Sequence, residues 1–163
     1  MNAFRPLAAA VGICLSLASN VWATDPIIVS DRAVILTPEQ APRLMKPCSR
    51  SGPENVFGFW MPAASDVAIM EKELPAFMKK SGFKHPVSDY CRQYVGVIAN
   101  GRQIVYVNAV PVSDAEDKEV DPEDRMQWKK EPAIVCDGGP EFWGVEFDLL
   151  AKEFLHLEGN GAI

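Results

Sequence analysis

The residues able to do chemistry are few and scattered. Beyond residue 23 the chain holds three cysteines, Cys48, Cys91 and Cys136, and two histidines, His85 and His156. A thiolate with an imidazole and a carboxylate would make a nucleophilic catalyst, but no local signature assembles one. His85 precedes Pro86 in a loop, and His156 alternates with inward candidates on a terminal strand, so both read as structural or surface residues. Asp137, Glu141 and Glu146 could supply the paired acids of glycoside hydrolysis, yet an acidic chain always offers such pairs. No C-x-x-C pair and no Cys/His cluster occurs, so no metal and no cofactor is expected. Asp114, Glu116 and Asp117 invite a calcium reading, but the glycine a calcium loop needs is missing.

Ligand binding is the other use these side chains could serve. Arg50, Trp60, Asn108, Asp137 and Trp143 are the candidate ligand-binding residues, because aromatic rings beside turn glycines offer flat contact area at low entropic cost. Three of them have a plainer role as well. Trp143 alternates with Val145 and Phe147 as core, Asp137 caps a glycine turn, and Arg50 is free to form a surface salt bridge or a ligand contact.

The elements that must position these residues centre on one segment, Tyr90 to Val110. Asn100-Gly101 lies there between two runs rich in β-branched and aromatic residues, which reads as a hairpin with a two-residue type I′ turn. That turn fixes the register, with Val97 facing Ile104 and Tyr94 facing Val107. Both faces of the ribbon are largely apolar, so it belongs inside a sheet covered on each side.

Ser65-Asp66 opens a helix whose Val67, Met70, Leu74, Phe77 and Met78 form one stripe to bury, with Glu71, Lys72, Lys79 and Lys80 on the outer face. Gly82 stops it, and Pro75 is expected to kink or split it. Val34 to Leu36 and Val56 to Trp60 read as short strands, and Thr37 to Gln40 as a single helical turn. Residues 111–131 form a long polar excursion, solvated, with Trp128 pinning its far end. Ala133 to Cys136 is expected to return as a strand, Asp137 to Pro140 to turn, and Phe142 to Phe147 and Phe154 to Leu157 to complete the sheet. The expected fold is α+β: an antiparallel meander of four to five strands with one amphipathic helix packed on one face.

Met1 to Ala23 has Arg5 ahead of an apolar run and small residues before a polar onset at Thr24, the pattern of a secretory signal peptide. Cys14 would serve a lipoprotein only with a small residue before it, and Ile13 stands there. Residues 24–163 are then one α+β domain, periplasmic or secreted. The whole chain has a formal charge of −6, and the leader takes away one base and no acid. An acidic mature chain without a basic stripe argues against nucleic acid and anionic lipid surfaces. No later run is long and apolar enough to span a bilayer, so no membrane insertion is expected after signal cleavage. In an oxidising compartment three cysteines make one disulfide and one leftover thiol, and three pairings remain open.

Cys48-Ser49-Arg50, Phe59-Trp60-Met61-Pro62, Arg92-Gln93-Tyr94-Val95-Gly96 and the segment from Val135 to Asp148, with its C-D-G-G-x-x-F-W-G-V core, carry a resemblance. The chain resembles a family of small exported bacterial proteins of unassigned function over most of residues 24–163. The resemblance implies a Cys48–Cys136 disulfide, because the position like Cys91 is commonly another residue in that family. Such a bridge would tie the loop before the helix to the end of a sheet strand and stabilise the fold by about 3–5 kcal/mol. The function expected is a soluble, non-enzymatic binding protein that contacts another protein or a cell-envelope component, a description that an inhibitor-like protein fits by fold analogy alone. The alternative is a small periplasmic hydrolase, which a pocket joining a histidine to a carboxylate or thiol would favour.

Overall fold

The computed structural model describes residues 25–117, 119, 121 and 125–161. The expected signal peptide, Met1 to Ala23, and Cys14 within it lie outside the described residues. The fold is α+β, but the sheet is mixed and has seven strands rather than four or five in a pure antiparallel meander. They are β1 (Ile27–Ser30), β2 (Ala33–Ile35), β3 (Val56–Trp60), β4 (Tyr90–Ala99), β5 (Arg102–Pro111), β6 (Trp143–Asp148) and β7 (Glu153–Gly159). The sheet runs β1-β2-β4-β5-β6-β7, and β3 also pairs with β4. β2 runs parallel to β4 along Arg92 to Tyr94, and β3 runs antiparallel to it along Gly96 to Ala99. One edge of β4 is thus shared between two short strands laid end to end.

The hairpin of β4 and β5 is the frame. Asn100 and Gly101 have φ of 50° and 74°, the left-handed pair a type I′ turn requires, and the register is as expected, with Val97 opposite Ile104. Tyr94, Val105, Val107, Trp143, Val145 and Phe147 share one face of the sheet. The main helix, α2 (Ala64–Lys80), lies on that face with Val67, Met70, Leu74 and Met78 fully buried against it. Its first turn is closed by Asp66, whose carboxylate accepts the N–H of Ala63 at 3.2 Å, so Ser65 lies inside the helix instead of capping it. Pro75 does not split the helix. It is exposed, so water is at hand for the carbonyl of Glu71 that loses its donor.

Glu71 departs from the expected outer face. It turns toward the sheet and takes the guanidinium of Arg92 in a bidentate pair, at 2.6 and 3.0 Å, with the Tyr94 hydroxyl also donating to it. Arg92 completes its donors on the carbonyls of Val87 and Tyr90, at 2.9 and 2.5 Å. A buried cation so fully engaged is tolerable, and removing one partner of such a pair costs about 3–5 kcal/mol.

The sheet's second face is covered as well. α1 (Ala41–Leu44), α3 (Val112–Ala115) and Trp128 pack on Val34, Cys91, Val95, Val97, Ile104 and Tyr106. α1 starts after the expected turn: Gln40 reaches back to the N–H of Thr37 at 3.0 Å, and the helix begins only at Ala41. Trp128 is buried and pins the far end of the polar excursion.

Cys48 and Cys136 form a disulfide with Cα atoms 5.1 Å apart, 88 residues apart in sequence. Cys91 is free and buried. Burial, with Glu116 adding a smaller electrostatic push, raises its thiol from the ordinary value to about 11, which leaves almost no thiolate at neutral pH. Iodoacetamide at neutral pH is expected to spare Cys91 in the native chain and to label it once denaturant unfolds the domain. Rapid labelling of the native protein, followed by peptide mapping, would contradict this packing.

Candidate functional site

Two of the three polar candidates, Arg50 and Asn108, meet through their side chains in one network on the second face. Arg50 follows the disulfide by two residues and crosses toward β5. Its Nε–H donates to the Tyr106 hydroxyl at 3.2 Å, and its two amino groups donate to Asn108 Oδ1 and Asn160 Oδ1. Asn108 then donates to Gln93 Oε1 and to the carbonyl of Ala133, both at 2.9 Å. Gln93 accepts the N–H of Ala133 at 2.9 Å and donates to the carbonyls of Trp128 and Glu131 at 2.6 Å. Asn160 donates to the carbonyls of Val135 and Asp137, at 2.8 and 2.7 Å.

This network explains why Ala133 to Cys136 is not a strand. β5 is already flanked by β4 and β6, so that segment cannot pair with it. It lies over the sheet instead, and amide side chains replace the ladder bonds its backbone would otherwise need. Gly144 makes room for the guanidinium: a Cβ there would stand 2.9 Å from Arg50 Nε and collide with the Tyr106 hydroxyl. Burial pushes the Tyr106 phenol upward from its ordinary value, against the opposing pull of Arg50.

The remaining candidates take other structural places. Trp143 is fully buried, edge-on to Tyr90 and Phe83 with centroids 5.4 and 5.8 Å away. Asp137 adopts a left-handed conformation with φ of 73°, and its N–H donates to Ser49 Oγ at 3.1 Å. Trp60 is half-buried on β3, and its Nε1–H donates to the carbonyl of Val97 at 3.4 Å. Arg50 and Asn108 therefore come together, while Trp60, Asp137 and Trp143 do not join them on one open surface.

Two recesses that sequence reasoning did not single out flank the loop at residues 51–55. On one side, Glu146 and His156 share a cleft of about 410 Å³ with Glu54, Tyr106 and Glu158. Glu146 is buried on β6, and one of its oxygens lies 3.2 Å from His156 Nδ1. A bulge in β7 brings the histidine there. Leu155 pairs with Glu146 and Glu158 with Gly144, which leaves one residue too many between them. His156 has φ of 43°, and its side chain is 75% exposed. The bulge also separates Leu155 from Leu157: Leu155 packs on the second face and Leu157 on the helix face, although plain alternation would put them together.

On the other side of the loop, Pro42, Met45, Pro53, Val56, Phe57 and Phe59 line an apolar groove of about 510 Å³ between α1 and β3. β3 pairs only with β4, and Phe57 on it is 77% exposed. A third cluster joins His85 Nε2 and the Tyr90 hydroxyl to Glu141, at 3.3 and 3.0 Å. No three His, Cys, Asp or Glu side chains are grouped to hold a metal ion among the described residues.

Comparison with protein-family models, with curated proteins and with solved structures finds no match to this chain. Its function must be argued from its own geometry.

Gly144→Ala tests the network. The Gly144 backbone is not in the left-handed region, so the added methyl acts by displacing Arg50 and Tyr106. Overpacking of this kind is expected to lower stability by about 1–3 kcal/mol in urea denaturation. An unchanged midpoint would mean that the guanidinium is not held against Tyr106.

Proposed function

We propose that this chain is an exported, non-enzymatic binding protein that receives an extended polypeptide segment of a partner, or of an envelope component, on the free edge of β3. The observation that carries this reading is the unpaired edge beside an apolar groove, with Phe57 standing 77% exposed. A strand edge offers a row of N–H and C=O groups to a peptide, and pockets beside it select alternate side chains. Covering an exposed aromatic ring contributes about 1.5–3 kcal/mol, so a groove with Phe57 and Phe59 can hold a short apolar segment.

Export is supported by the Cys48–Cys136 disulfide, a bond that persists in oxidising compartments, and by the leader-like pattern of Met1 to Ala23. The resemblance of the Val135 to Asp148 segment to small exported bacterial proteins points the same way. No helix among the described residues is long and apolar enough to cross a membrane.

A small periplasmic hydrolase is the second reading, favoured by the contact between buried Glu146 and His156. We rank it below binding because Glu54, Glu146 and Glu158 surround that cleft, and carboxylates oppose the negative charge that develops in acyl transfer.

A photo-crosslinking residue placed at position 57 in cells tests the leading reading, with position 72 on the exposed side of α2 as control. A discrete adduct from position 57 that is absent from position 72, and that is lost when Phe59→Ser is added, is expected. Equal labelling from both positions, or none from either, would refute β3 as the docking edge.

A further inference from the structure

The vacant position beside β3 has a definite length, set by the register along β4. Trp60, at the end of β3, stands opposite Gly96, while Ile27, at the start of β1, pairs with Ile35 and is thereby level with Tyr94. β2 and β3 share one edge of β4, so β1 lies one strand further out, in line with the vacancy. The vacancy is therefore closed at its Trp60 end by β1 and open at its Val56 end. It matches the five residues of β3, about 17 Å at the rise of a strand.

The groove beside that position is apolar except at one point. Met45, Phe57 and Phe59 supply much of its wall, and Lys46 is the single charged side chain among the described residues that line it. The Lys46 ammonium has no side-chain partner among the described residues, whereas Arg43, on α1, is tied to Glu131 at 2.9 Å. An apolar wall with one unpaired ammonium discriminates by sign: it favours a carboxylate and opposes a second cation. Lysine is a point charge on a flexible stem, so it takes a carboxylate from several directions. A second copy of this chain is the poorer occupant, because the chain has a formal charge of −6 and two copies repel.

Resting on the reading of β3 as a docking edge, we propose that the segment it receives is a short apolar strand bearing an aspartate or glutamate side chain that pairs with Lys46. The backbone of β3 holds the strand, alternate apolar side chains enter the groove between α1 and β3, and the carboxylate meets the ammonium at the rim. Lys46 is exposed, so the ion pair selects among segments and the apolar contacts supply most of the affinity.

The test titrates the full mature chain, labelled with nitrogen-15, with three capped hexapeptides and follows it by NMR: neutral Asn-Val-Thr-Phe-Thr-Asn, and the two acidic forms with Asp in the first or in the last position. Saturable shifts at the amides of residues 56–59 are expected with all three, the better acidic peptide binding about two- to fivefold tighter than the neutral one. Lys46→Gln is expected to remove that preference and to leave the neutral peptide's affinity unchanged, while Lys79→Gln, on the exposed side of α2, keeps the preference intact. Equal binding of acidic and neutral peptides at residues 56–59 would overturn the charge assignment and leave β3 standing as a docking edge. No saturable shift there with any peptide would overturn both. Sedimentation of the unliganded chain at rising concentration completes the test: a monomer is expected, and a dimer that Phe57→Ser abolishes would show that a second copy fills the edge and overturn the proposal.

Discussion

A guanidinium held by neutral oxygens on the sheet's second face is the constraint on which the rest of the structure depends. Arg50 draws its acceptors from three distant parts of the chain: Tyr106 and Asn108 on β5, and Asn160 beyond β7. Hydrogen bonds to a charged group contribute about 1.5–3 kcal/mol each, and leaving the charge unmet costs at least as much. Gly144 supplies the space, and the Cys48–Cys136 bond fixes the backbone two residues before Arg50. The covalent tie and the polar one act on the same loop. Residues 128–137 make no ladder over the sheet and take Gln93, Asn108 and Asn160 as partners for their backbone.

The two faces of the sheet are consequently stabilised by different physics. On the helix face, Met70, Leu74 and Met78 meet Tyr94, Val107 and Trp143 in a dry interior, with the Glu71–Arg92 pair orienting α2 on β4. The second face is apolar near the hairpin tip, around Val97 and Ile104, and polar toward the disulfide. Glu146 and His156 border a cleft beside Tyr106, and the loop at residues 51–55 separates it from the groove along β3.

Local pattern made much of this fold legible. The Asn100-Gly101 turn dictated a register over the whole β4–β5 ribbon, and the spacing from Val67 to Met78 identified the buried side of α2. The parallel pairing of β2 with β4 was not legible, because a three-residue strand joined through a distant crossover carries no local signal of its direction. Ala133 to Cys136 has strand composition but lies over β5, whose two edges are taken by β4 and β6, which only the finished sheet decides. Glu71 carried a solvent-facing pattern and was drawn inward by a partner 21 residues away. His156 escaped for a subtler reason: one extra residue in β7 changes which face every later side chain takes, and period-two reasoning assumes there is none. Of the five candidate ligand residues, Arg50 and Asn108 meet in one hydrogen-bond network that ties the loop after Cys48 to β5.

The most direct measurement of this account is a double-mutant cycle between Arg50→Met and Asn108→Ala, read by urea denaturation of the oxidised chain. If the guanidinium and the amide act as one unit, the two losses are non-additive, with a coupling of about 1 kcal/mol or more. Losses that add to within about 0.3–0.5 kcal/mol would show the two side chains to be independent and contradict the account.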